Sequence, residues 1–246
     1  MATLRAFGHG NQGPPVVLVH GWCCSGDVWR HQIEAFAGRC RLLVAELGHP
    51  DPETQDVSIA ATGAALVTAL DREGIDACTL VGHSMGGPVA LEAARRLRSR
   101  CRAVIGVDTF TDAAFYAARP DAEIATRLEP FRRDFAGTMT TMIDRITLGG
   151  PADLRRWVTR MMAEAPRPSA LARMASLLAH DIEALWPTVP CPVATINSAP
   201  LDRPEARLTL AGLDATWMPD VGHFPMLEAP EAFNRQLARA LTMASP

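Results

Sequence analysis

Gly82-His83-Ser84-Met85-Gly86 constrains this chain more than any other five residues in it. An apolar run, CTLVGHS over 78–84, leads into it and reads as a buried strand. A helical pattern over 85–97 leads out of it, with Val89, Ala90, Ala93, Ala94 and Leu97 on one face. So tight a strand-to-helix turn forces its middle residue into a strained backbone conformation. Small residues two before and two after give the room that the turn needs. The turn lifts the Ser84 hydroxyl above the sheet, beside the N-terminus of the following helix. There the helix dipole and its free N–H groups favour developing negative charge. Ser84 is therefore the expected nucleophile.

The rest of the chain supports that setting. Apolar runs at 15–21, 41–47, 103–109, 191–198 and 215–221 read as further strands buried on both faces, as in a parallel sheet. Helical patterns at 27–36, 57–70 and 230–241 alternate with them. The expected fold is α/β, a doubly wound, mostly parallel sheet with right-handed crossovers. One stretch breaks the rhythm. Residues 111–187 contain no convincing strand. Their helical pieces are split by Pro120, Pro130, Gly149-Gly150-Pro151, Pro166 and Pro168, and methionines recur at 139, 142, 161, 162 and 174. They read as a helical insertion over the sheet, its Met-rich faces suited to an apolar, variable ligand. The expected division is thus a core of 1–110 and 188–246 and a cap of 111–187.

A serine nucleophile needs a base and an oxyanion site. His223, in Val221-Gly222-His223-Phe224-Pro225 after the last strand, stands where a base falls in the chain order serine, acid, histidine. Two N–H donors about 3 Å from the developing oxyanion complete the requirement. One is expected from Met85, the other from Trp22 in the loop after the first buried strand, where Gly21 allows close approach. His20 is read as orienting that loop. Glu228 is read as a surface or capping residue, and the arginines at 95, 96, 98, 100 and 102 as a solvated helix end.

These segments resemble the α/β-hydrolase superfamily over nearly the full chain: VVLVHGW (16–22), LVGHSMGG (80–87) and VGHFPMLEAPEAFNRQL (221–237). The sequence is similar to small carboxylesterase, lactonase and perhydrolase-like members with a helical cap inserted after strand six. The resemblance implies Ser84 and His223 as catalytic and Trp22 and Met85 as oxyanion donors. It also departs from the family's pattern. The usual Gly-x-x-Asp turn after strand seven is replaced by Asn197-Ser198-Ala199-Pro200-Leu201-Asp202. The acid is therefore expected at Asp108, at the end of the strand over 103–109, with Asp202 as the alternative and a site without either left open.

The expected reaction is cleavage of a carboxylic ester, lactone or related acyl group through an acyl-enzyme. Lyase, C–C hydrolase or perhydrolase chemistry, or a non-catalytic ligand-binding role, are the alternatives. The expected substrate is a small apolar acyl compound. A net charge of −3 argues against nucleic acid. The absence of lysine excludes Schiff-base and P-loop chemistry. No apolar run is long enough to span a bilayer and no secretory leader is visible, so the cytoplasm is expected. The six cysteines form no CxxC pair and read as buried thiols. No metal or other cofactor is expected, and a homodimer is compatible with the sequence.

Overall fold

In the computed structural model, which describes residues 2–8, 10, 14–201 and 204–243, seven strands form one sheet. They are β1 (Thr3–Phe7), β2 (Val16–Val19), β3 (Leu42–Glu46), β4 (Cys78–His83), β5 (Cys101–Val107), β6 (Val193–Ser198) and β7 (Asp214–Met218). All pairings are parallel except that of β1 with β3. Every residue of β2 and β4 is buried, which is why these strands are apolar throughout. The sheet follows the expected mostly parallel α/β plan. β1 was not expected from its sequence. It is an edge strand with Thr3, Arg5 and Ala6 exposed, so it lacks the continuous apolar signal.

The strand order is β1-β3-β2-β4-β5-β6-β7. From β2 the chain crosses outward to β3, then returns past β2 to β4 and continues in the opposite direction. Connections therefore diverge between β2 and β4, opening a crevice at their carboxyl ends, where open α/β sheets bind ligands. The loops after these two strands carry Trp22 and Ser84.

Helices α1 (Arg30–Phe36), α2 (Ile59–Arg72) and α3 (Gly86–Leu97) cover the sheet. The pattern over 27–36 divides in the structure. A 3-10 turn, Gly26–Trp29, is capped by the Ser25 hydroxyl accepting from Asp27 N–H, and α1 follows. α2 begins later than its apolar pattern because the Ser58 hydroxyl accepts from Ala61 N–H and caps it. α3 is buried along nearly all its length, packed on α2, β4 and β5.

Between β5 and β6 the chain runs through α4 (Ala113–Tyr116), α5 (Asp121–Arg133), α6 (Phe135–Ile146), α7 (Ala152–Ala163), α8 (Arg167–Ala179) and α9 (Ile182–Leu185). A cap after strand six was counted in the resembling family. In this chain's own count the helices follow β5. Pro130 lies inside α5 and does not end it; the helix stops at Asp134, whose carboxylate accepts from Gly137 N–H and caps α6. Buried polar contacts bind these helices to the sheet loops. The Trp22 indole N–H donates to Ala170 O at 2.7 Å, and buried Arg173 donates to Leu47 O at 3.0 Å. Ile59 N–H donates to the Ser176 hydroxyl at 2.9 Å. The chain closes with α10 (Pro225–Glu228) and α11 (Pro230–Met243).

Candidate active site

Ser84 sits between β4 and α3 at φ 52°, in the left-handed region that side chains other than glycine rarely adopt. The turn is possible because its flanks lack side chains. A Cβ on Gly82 would lie 2.3 Å from Gly86 O, and one on Gly86 would lie 2.4 Å from Val19 O. The strained residue is held on both sides. Its N–H donates to Val107 O at 2.9 Å, and its carbonyl accepts from the Thr109 hydroxyl at 3.0 Å.

Asp108 follows β5 at φ 50° and is 1% exposed. Its Oδ1 accepts from Ser198 N–H at 2.7 Å, and its Oδ2 lies 2.6 Å from His223 Nδ1. The first contact fixes the carboxylate; the second leaves His223 Nε2 as the free ring nitrogen, the tautomer a general base requires. The turn beyond Asp108 is braced by buried Asn197. Its Oδ1 accepts from Thr109 N–H and the Thr195 hydroxyl, and its amide donates to Thr109 O and Thr111 Oγ1. Asn197 stands where the family's glycine turn was missed, and here it supports Asp108. Asp202 lies outside the described residues.

Ser84, His223, Asp108 and Trp22 all line one cavity of about 260 Å³. Met142, Met162, Met174 and Leu177 from the inserted helices line the same cavity. Met85 N–H stands at the start of α3, next to Ser84. Neither it nor Trp22 N–H takes part in any hydrogen bond among the described residues. Two unengaged backbone N–H groups beside Ser84 can donate to a developing oxyanion. Among the described residues no group of three or more His, Cys, Asp or Glu gathers to hold a metal.

Two residues do more here than their sequence setting suggests. His83 lines the same cavity as Ser84, with its ring 4.9 Å from that of His223, and its Nε2 donates to the backbone carbonyl of His223 at 2.7 Å. Glu228 is 8% exposed, not a surface residue. Its Oε2 accepts from Leu148, Gly149 and Gly222 N–H at 3.0, 2.6 and 2.9 Å, and its Oε1 accepts from Phe224 N–H at 3.0 Å. His223 N–H in turn donates to Ile146 O at 2.6 Å. The loop of His223 is thus fastened to the turn between α6 and α7. The bond to Phe224 N–H, at the start of α10, is the capping role read from the sequence; the bonds to Leu148 and Gly149 leave no trace in the sequence, because their donors are backbone groups. The arginines at and just after the end of α3 lie at a solvated helix end, with Arg98 and Arg102 exposed and the others half-exposed. Arg95 and Arg96 both pair with Glu92, and Arg100 pairs with Asp71.

His20 Nδ1 donates to Gly21 O at 2.9 Å and its Nε2 accepts from Leu47 N–H at 3.2 Å. It orients the loop after β2, as its sequence position suggests. Burial, followed by the nearby positive charges, pushes its pKa down to about 4. Burial and the neighbouring His223 hold His83 well below the ordinary imidazole value. Both rings are thus neutral in the native state. In the unfolded chain they protonate near 6.5. Below that pH the unfolded state binds protons that the native state refuses, so stability is present above about 6.5 and is lost as pH falls toward 4. For His20 alone the loss is roughly 3 kcal/mol over that window. Urea unfolding should show a clearly lower midpoint at pH 5 than at pH 7.5. Equal midpoints would mean that these rings are not buried neutral.

A model of the family described as "Alpha/beta hydrolase family" matches residues 16–236. A pimeloyl-[acyl-carrier protein] methyl ester esterase from Nitrosospira multiformis is 24% identical, over 93% of this chain and 94% of its own length. The enzyme of that name from Aeromonas salmonicida is 30% identical, over 74% of this chain and 72% of its own length. Among solved structures, a thermophilic esterase from Thermogutta terrifontis superposes with a TM-score of 0.82 at 23% identity, covering 100% of this chain and 94% of that one.

Proposed function

This chain belongs to the alpha/beta hydrolase family, and on that premise we propose that it hydrolyses carboxylic esters through an acyl-enzyme on Ser84. One observation carries the assignment of roles. A buried, doubly held Asp108 meets His223 at 2.6 Å, in the same cavity as a serine at φ 52°.

His223 Nε2 takes the Ser84 proton as Oγ attacks the ester carbonyl. The N–H groups of Trp22 and Met85 receive the oxyanion of the tetrahedral intermediate. His223 then passes the proton to the departing alcohol. Water, activated by the same nitrogen, cleaves the acyl-enzyme and restores Ser84. Asp108 holds the ring's tautomer and stabilises its charged form. Every step uses protein groups and water.

Residues 111–187 act in this reading as a cap that shapes the acyl site. The named relatives act on a methyl ester of an acyl chain, and the methionine wall suits an apolar chain of some length. Lactones would meet the same machinery. No helix among the described residues is long and apolar enough to cross a membrane. The cytoplasm belongs to this proposal, because the six thiols suit a reducing compartment.

A panel of p-nitrophenyl acyl esters and lactones, run on the wild type and on Ser84→Ala, tests the reaction. The same panel tests the wall. Met142→Ala and Met162→Ala should shift the ratio of kcat/KM for decanoate over butanoate esters by about tenfold, the scale of a few apolar contacts in a pocket. An unchanged profile in folded variants would remove the methionines from the acyl site.

A further inference from the structure

Three cysteines meet at the amino ends of the central strands, on the side of the sheet opposite Ser84. Cys78 begins β4 and is paired in register with Cys101, which begins β5. Cys191 lies just before β6, and its Sγ is 3.7 Å from Cys101 Sγ. Cys101 is 3% exposed, whereas Cys191 is half-buried. The nucleophile stands at the far end of β4, six residues and about 20 Å away. The hydrolytic reaction therefore makes no use of these thiols.

We propose that Cys101 and Cys191 form a peroxide-oxidisable dithiol, closing to a disulfide that ties the start of β5 to the entry of β6. Three features of the structure support this. The sulfurs already touch, so closure to a bond of about 2.05 Å needs side-chain adjustment more than strand movement. Neighbouring backbone is fixed, because Val104 N–H donates to Pro192 O at 3.0 Å. Solvent also reaches one member of the pair and not the other, which orders the steps. The contact with the Cys191 sulfur, followed by burial, holds the Cys101 thiol far above its ordinary value, which leaves the more exposed Cys191 as the thiol that ionises first. Cys191 is thus the attacking sulfur and Cys101 the resolving one.

The chemistry balances with hydrogen peroxide as oxidant. The Cys191 thiolate attacks one peroxide oxygen, the O–O bond breaks, and hydroxide leaves to become water, giving a sulfenic acid. Cys101 sulfur then attacks that sulfur. The S–S bond forms, the S–O bond breaks, and the Cys101 proton departs with the oxygen as a second water. Two thiols are oxidised by two electrons and one peroxide is reduced to two waters. The resulting link closes the chain around the whole helical insertion, because the helices α4–α9 lie between the two cysteines.

The test uses the full chain. Reduced protein is treated with hydrogen peroxide, quenched with catalase, alkylated in denaturant and digested with trypsin without reductant. The expected product is the dipeptide Cys101-Arg102 joined to the peptide 174–207, with two of the six thiols lost and both recovered after dithiothreitol. Cys191→Ser should lose no thiol under the same dose. Cys101→Ser should instead accumulate a sulfenic acid on Cys191, trapped by dimedone. The oxidised wild type should unfold at a higher temperature than the reduced one, and Cys191→Ser should show no such shift. Free Cys101 and Cys191 after a dose that oxidises the half-buried Met161 would overturn the proposal. So would a bond from Cys191 to Cys78 or to a second chain.

Discussion

Ser84→Ala is expected to lower ester turnover by about 10⁶-fold, the scale seen when a triad nucleophile is removed. The fold should survive the change. Ser84 is already at φ 52°, its backbone is held by Val107 and Thr109, and alanine leaves those bonds in place. A fluorophosphonate probe should label the wild type at this residue alone and leave the variant unmarked. The thermal midpoint should change little, so loss of rate and loss of structure can be separated. Retention of more than a few per cent of turnover by a folded Ser84→Ala protein would remove Ser84 from the reaction. Mapping of the probe to another serine would do the same.

Asp108→Asn should cost about four orders of magnitude in kcat, with KM changed far less. The reason lies in the two ends of the carboxylate. Ser198 N–H needs an acceptor, and the asparagine carbonyl can supply it. The amide group then faces His223 Nδ1, where a carboxylate oxygen stood at 2.6 Å. A donor there forces the proton onto Nε2, and the ring can no longer accept from Ser84. Asp108 is 1% exposed, so no water replaces the lost acceptor. Asp202→Asn should stay near wild-type turnover. A crippled Asp202→Asn protein beside an active Asp108→Asn protein would reverse the assignment.

The sheet and the strand-to-helix turn at Ser84 were legible because their signals are local. Buried parallel strands must be apolar throughout, and a strand-to-helix elbow must carry small residues at fixed offsets. Asp108 and Asp202 were not separable from the sequence, because the Asp108 carboxylate is fixed by Ser198 N–H and by a turn that Asn197 braces, both about 90 residues away in the chain. Pro130 misled for a related reason. An internal proline costs a helix about 3 kcal/mol in isolation, yet α5 packs on α6 and α8 and continues through it. Glu228 was legible only as a cap. Its partners at 148 and 149 are peptide N–H groups, which every residue but proline possesses, so side-chain identity carries no trace of the contact.

That carboxylate has a bearing on how such an enzyme can be re-engineered. Grafting the helices of a relative onto this sheet would ordinarily be treated as changing the substrate while sparing the chemistry. Here the graft boundary is not at the strand ends. The turn at 146–149 supplies one acceptor to the histidine loop and two donors to the glutamate that also braces that loop. A donor helix set with a longer or rotated turn would leave a buried charge short of partners and shift the base. A chimera that exchanges selectivity without losing rate must therefore carry over the backbone path of that turn, or exchange the final loop and α10 together with it.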